Sequence, residues 1–64
     1  MNERIADRRK ELGLSQYAIS QRVFMHHNTY ANKERGNRPF TVDEFIAVCR
    51  ELGLNPCEVI KDEI

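Results

Sequence analysis

Residues 14–36 read LSQYAISQRVFMHHNTYANKERG, and the fold turns on how this stretch is read. Ser15 is a natural N-cap, and Ile19 and Val23, spaced i, i+4, continue an apolar stripe that begins at Leu14. These features predict a helix over Ser15–Val23. A second helix is predicted from His27 to Arg35, with Tyr30 as its one clearly apolar residue and Gly36 as its stop. Only Phe24, Met25 and His26 separate the two. Helices this short, joined this tightly, cannot run antiparallel over any length, so they are expected to cross at a large angle. Ile19, Val23, Met25 and Tyr30 should fill the crossing. The outer face should then present His27, Asn28, Ala31 and Asn32.

The flanking sequence extends the pattern. Upstream, a helix is predicted over Glu3–Leu12, with Asn2 as N-cap, Ile5 and Leu12 seven apart on one face, and Gly13 after its end. Downstream, Asn37-Arg38-Pro39-Phe40 reads as a loop anchored by Phe40. Thr41 and Glu44 then form a capping box for a helix over Val42–Leu52, whose apolar face is Phe45, Ile46, Cys49 and Leu52. A last helix is predicted over Pro56–Lys61. Asn55 caps it, Pro56 occupies the position where a missing N–H is harmless, and Val59 and Ile60 face inward. No segment alternates as a strand does, and there is no repeat or linker. The fold class is all-α: one compact five-helix domain over residues 1–64. A chain of 64 residues builds only a small core, for which dimerisation is a common support.

Several functions are disfavoured by composition and motif. No apolar run is long enough to span a bilayer and no signal-peptide pattern is present, so the expected compartment is the cytoplasm. In that compartment Cys49 and Cys57 are expected as small buried or half-buried thiols rather than a disulfide. The adjacent His26 and His27 do not make a helical ligand pair, and no metal or other cofactor is expected. There is no glycine-rich phosphate loop and no nucleophile–base–orienter set, so neither enzymatic activity nor a small-molecule substrate is expected.

Charge distribution is more informative than net charge, which is zero. Residues 1–38 carry eight Lys and Arg against four Asp and Glu, whereas residues 39–64 carry two against six. The basic end can meet phosphate while the acidic end faces away. The polar start of the third helix suits base reading. Asn28 or Asn32 can give a donor and an acceptor to adenine, and His27 can donate or accept at a purine edge. The partner expected from these features is double-stranded DNA.

Taken together, Leu14-Ser15-Gln16, Ile19, Val23, Glu34-Arg35-Gly36, Phe45, Leu52-Gly53-Leu54 and Val59-Ile60 resemble the phage lambda-repressor/Cro-type (XRE) helix-turn-helix family across nearly the whole chain. The resemblance implies a lambda-repressor-like fold with the helix-turn-helix at the second and third helices. It implies base reading by His27, Asn28 and Asn32, and DNA-backbone contacts by Gln16, Thr29, Asn37 and Arg38. Gln16 would also brace the first base-reading side chain. Arg9 and Glu34 match an internal ion pair of the family. There are three departures. Phe24 stands where the family usually has glycine, implying an altered turn or a longer loop. Ser20 replaces a usual Ala. Lys33 replaces a large apolar residue, so that either its stem covers the core or the third helix is rotated or frayed.

The function expected is a sequence-specific transcriptional regulator, acting as a homodimer on a near-palindromic operator. The dimer surface is expected on the last helix and tail, at Val59, Ile60 and Ile64. The alternative is a protein-interaction module, such as an antitoxin or anti-regulator, on the same fold. The two histidines at the expected DNA face predict binding that tightens as pH falls.

Overall fold

The computed structural model describes the backbone of residues 3–63 and the side chains of residues 3–59. Five helices succeed one another: α1 (Glu3–Glu11), α2 (Gln16–Arg22), α3 (His27–Arg35), α4 (Val42–Glu51) and α5 (Pro56–Glu63). No strand occurs among the described residues. Three helix starts have a cap that the sequence announces. Ser15 accepts the Ala18 N–H at 3.0 Å. Thr41 and Glu44 cap each other reciprocally, at 3.2 and 2.9 Å. Asn55 accepts the Cys57 N–H at 2.9 Å. The expected cap at Asn2 lies outside the described residues.

Four helix exits share one hydrogen-bond pattern. After α1, Gly13 N–H bonds Lys10 O and Leu14 N–H bonds Arg9 O; Gly36 and Asn37, and Gly53 and Leu54, repeat this after α3 and α4. The pattern satisfies two orphan carbonyls and turns the next residue back onto the helix, with the turning residue at positive φ. Leu14, Met25 and Leu54 are the apolar residues that three of these turns fold against the core. Leu12 was expected beside Ile5 on the buried face. It falls instead in the exit turn of α1 and is exposed, and Leu14 packs in its stead.

The exit from α2 makes the same bonds, Phe24 N–H to Gln21 O and Met25 N–H to Ser20 O, without a glycine. Phe24 itself adopts φ +58°, and it is the one non-glycine residue at positive φ among those described. The expected altered turn is therefore not found: the turn is kept and Phe24 carries its strain. Its side chain is 97 % exposed, so no burial offsets that strain.

The core draws on all five helices: Ile5 (α1), Ile19 (α2), Tyr30 (α3), Val48 and Cys49 (α4), Leu52 just beyond α4, and Val59 (α5). Complete burial of an aliphatic or aromatic side chain contributes roughly 1.5–3 kcal/mol each, so six such residues and the Cys49 thiol are a modest core that ties every helix to one centre. Val23, Phe40 and Phe45 pack around it. Ala31 was expected on the outer face, but it is only 7 % exposed. Ser20, the departure on α2, is also fully buried, its hydroxyl donating to Tyr17 O at 2.7 Å.

A polar knot complements the apolar core. Glu34 is almost wholly buried, and Arg9 meets it with two bonds, Nε to Oε2 at 2.9 Å and Nη2 to Oε1 at 3.0 Å. The Tyr30 hydroxyl donates to Oε2, and Gln16 Nε2 donates to Oε1 at 3.2 Å. Arg9 Nη1 also donates to Leu14 O at 2.8 Å. One carboxylate thus joins α1, α2 and α3. Burial alone pushes the Glu34 carboxyl up, but the bonds from Arg9, Tyr30 and Gln16 overcome it and hold the group below the ordinary carboxylate value. Burial, followed by the Glu34 carboxylate, raises the Tyr30 phenol, so it remains a donor.

Glu34→Gln should leave a buried guanidinium without its counter-charge, at a cost of about 3–5 kcal/mol. A 64-residue domain has about that much stability in total, at roughly 0.05–0.15 kcal/mol per residue, so urea titration should find the variant largely unfolded. Because the Glu34 pKa is depressed on folding, its contribution is intact above the ordinary carboxylate value and lost as pH falls through the folded one. The wild-type melting temperature should therefore hold from pH 7 to about 5 and drop below about 4. Phe24→Gly should stabilise the fold by about 1 kcal/mol by releasing the left-handed strain. Phe24→Ala, which keeps the strain and removes only an exposed ring, should not.

Candidate nucleic-acid interface

The interface is built on the first turn of α3. His26 is the N-cap: its backbone is extended, and its Nδ1 accepts the Asn28 N–H at 3.2 Å. Histidine is not among the usual capping residues, which is why the sequence concealed this role. The bond requires an unprotonated Nδ1.

His27, Asn28 and Thr29 come next, all exposed. Tyr30 and Ala31 turn inward, and Asn32, one turn on, is half-buried. Asn32 O accepts the Asn37 N–H at 2.9 Å, joining the end of α3 to the loop that carries Asn37 and Arg38, both exposed. The candidates on α3 and in this loop thus lie on one continuous piece of chain, fastened at one end by His26 and at the other by the Gly36 turn.

Gln16 is placed differently from the expectation. Its amide donates inward to Glu34, and it is half-buried. The neighbouring residue on α2, Tyr17, is 60 % exposed, and its ring lies 5.8 Å from that of His27. His27 also stacks with His26, centroids 5.3 Å apart and planes 26° apart. Tyr17 escaped the sequence reading because a lone tyrosine on a helix gives no periodic signal.

Lys33 resolves between its two expected placements. α3 runs without interruption to Arg35, and the Lys33 ammonium bonds the Glu44 carboxylate at the start of α4. That bond, with the Thr41 backbone N–H, holds Glu44 below the ordinary carboxylate value. The helix is not frayed at this end.

Of the residues expected at a dimer surface, only Val59 has a described side chain. Val59 is fully buried in the monomer's own core and offers no area to a partner. The side chain of Ile60, and Ile64, lie outside the described residues. Cys57 was expected to be at least half-buried but is exposed, while Cys49 is buried. An apolar groove of about 450 Å³, which the sequence did not reveal, is lined by Pro39, Phe40, Val42, Phe45, Ile46 and Cys57. Val42 is 74 % exposed beside it. The signal was a surplus of apolar residues over 39–46, more than one helix face needs.

No helix among the described residues is long and apolar enough to cross a membrane. No curated protein and no solved structure matches the chain. A helix-turn-helix family model matches residues 5–59, a span that begins at the first core residue of α1 and ends at the core residue of α5. The packed α2–α3 pair, the exposed polar start of α3 and that match lead to one assignment: the chain belongs to the lambda-repressor-type (XRE) helix-turn-helix family and is a DNA-binding regulatory domain.

Proposed function

We propose that the chain is a sequence-specific transcriptional regulator of the repressor or controller type, reading the major groove with α3 as a homodimer on a near-palindromic operator. The observation that carries this reading is the contrast along α3. His27, Asn28 and Thr29 stand exposed on its first turn, while Tyr30 and Glu34 behind them are locked into the core and the buried knot. A rigid helix with a polar, exposed N-terminus is suited to a groove about 12 Å wide. Asn28 is the candidate for two bonds to an adenine edge, and His27 for a purine edge. Asn32, half-buried, would read at the groove's margin. Thr29, Asn37 and Arg38 would hold phosphates, and Gln16 could do so only with the part of its amide not given to Glu34. No step of this reading calls for chemistry on a substrate.

The arithmetic of specificity supports two copies. One good bidentate base contact discriminates by about 1–3 kcal/mol. Regulators separate operator from random DNA by roughly 4–10 kcal/mol; Asn28 is the one candidate here for such a pair, and a second copy doubles its contribution. We place the second copy on the groove at Val42, Phe45 and Cys57. Its lining belongs entirely to the half of the chain with two basic and six acidic residues, which repels phosphate and leaves the groove to protein.

Selection of bound fragments from random DNA tests the reading directly. A near-palindromic sequence with half-sites about one helical turn apart is expected, with affinity falling steeply with salt. Asn28→Ala should lose about tenfold or more of the operator preference and keep most binding to random DNA. Equal loss on both would remove Asn28 as a base reader. For the second copy, sedimentation at micromolar concentration should give a dimer in the wild type and a shift to monomer in Val42→Glu. An unaltered dimer in that variant would exclude the groove as the interface.

A further inference from the structure

We infer that Tyr17 is a positioning residue for the His27 reading site, so that recognition is shared between α2 and α3 rather than confined to α3. The inference rests on the reading that α3 enters the groove, and it adds a residue for which that reading has no use.

The grounds are geometric. An imidazole at the first position of a helix rotates broadly about χ2, because that torsion has shallow preferences. A base reader needs the opposite, since its two ring nitrogens differ in donor and acceptor character and must be aimed. His27 has ring contacts with two neighbours. Tyr17 meets it at 5.8 Å with planes 59° apart, the tilted arrangement aromatic pairs favour. His26 stacks on it at 5.3 Å and 26°. His26 is itself held, because its Nδ1 accepts the Asn28 N–H. The three rings therefore form a ledge from the first turn of α2 to the first turn of α3.

Tyr17 is the side chain of α2 in ring contact with His27, because the adjacent Gln16 turns its amide to Glu34. The family resemblance assigned the bracing role to Gln16. In this chain the ring geometry gives it to Tyr17. The tyrosine is 60 % exposed, so the core explains little of its placement.

The test uses the full chain with Tyr17→Ala, Tyr17→Phe and His27→Ala, each measured against every single-base variant of the operator found by selection. Tyr17→Ala should relax preference about three- to tenfold, at the same base pair that His27→Ala relaxes. Preference at the base pair read by Asn28 should be unchanged. Tyr17→Phe, which keeps the ring, should keep the preference. Without DNA, the His27 ring proton resonances should move on Tyr17→Ala while the melting temperature holds. Unchanged base preference in Tyr17→Ala would overturn the inference. So would a uniform loss on all sequences that Tyr17→Phe shares, since that would make the hydroxyl a phosphate contact. A wild-type chain that prefers no sequence would sink the groove reading itself, and the His27 resonances would still show whether Tyr17 holds that ring.

Discussion

A single buried carboxylate organises this domain. Glu34 receives the Nε and Nη2 donors of Arg9, the Tyr30 hydroxyl and the Gln16 amide, and so fixes α1 and α2 against the end of α3. A buried charge is tolerable only when its lone pairs are satisfied. Here the bonds outweigh the effect of burial and hold the carboxyl below its ordinary value. Its mechanical consequence is directional. The C-terminal part of α3 is held in the interior, and its N-terminal turn is left to face outward at a fixed angle.

The connection between α2 and α3 shows how strongly the backbone outcome is imposed. Three helix exits use glycine at positive φ, and the fourth reaches the same geometry with Phe24. The requirement comes from the residue after the turn. Met25 has to fold back against the core, as Leu14 and Leu54 do at the equivalent exits. The packing of Met25 and the pairing of the Ser20 and Gln21 carbonyls together hold a conformation that a phenylalanine would not choose. At the other end of α3, the Lys33–Glu44 pair ties the helix to α4 in place of an apolar contact. The departures at Phe24 and Lys33 are thus absorbed locally, and α3 runs unbroken between them.

The surfaces divide with the charge. The exposed start of α3 and the loop bearing Arg38 come from the basic half of the sequence, and the apolar groove comes from the acidic half. A domain with zero net charge can in this way present one end to a polyanion and reserve another for protein. The histidines are less simple than their charge suggests. His26 serves the helix as an acceptor, and His27 serves as a ring among rings.

Taken alone, the sequence determined the helices and their order, because caps, stops and i, i+4 apolar spacing are local properties of the chain. Ser15, Thr41 with Glu44, and Asn55 each act within three residues of themselves. The exposed polar start of α3, His27, Asn28 and Thr29, was legible for the same reason, and the Arg9–Glu34 pair through family resemblance. What only the tertiary structure decided were relations between distant residues. Val59 was used up in the interior, Ala31 turned inward, and Tyr30 and Gln16 joined Glu34. Phe40 and Phe45 came together in a groove, and Tyr17 met His27 across two helices. Periodicity states which face of a helix is apolar. It does not state which neighbour that face meets, and the packing of α2 on α3 is what brings Tyr17 to His27 and Gln16 to Glu34.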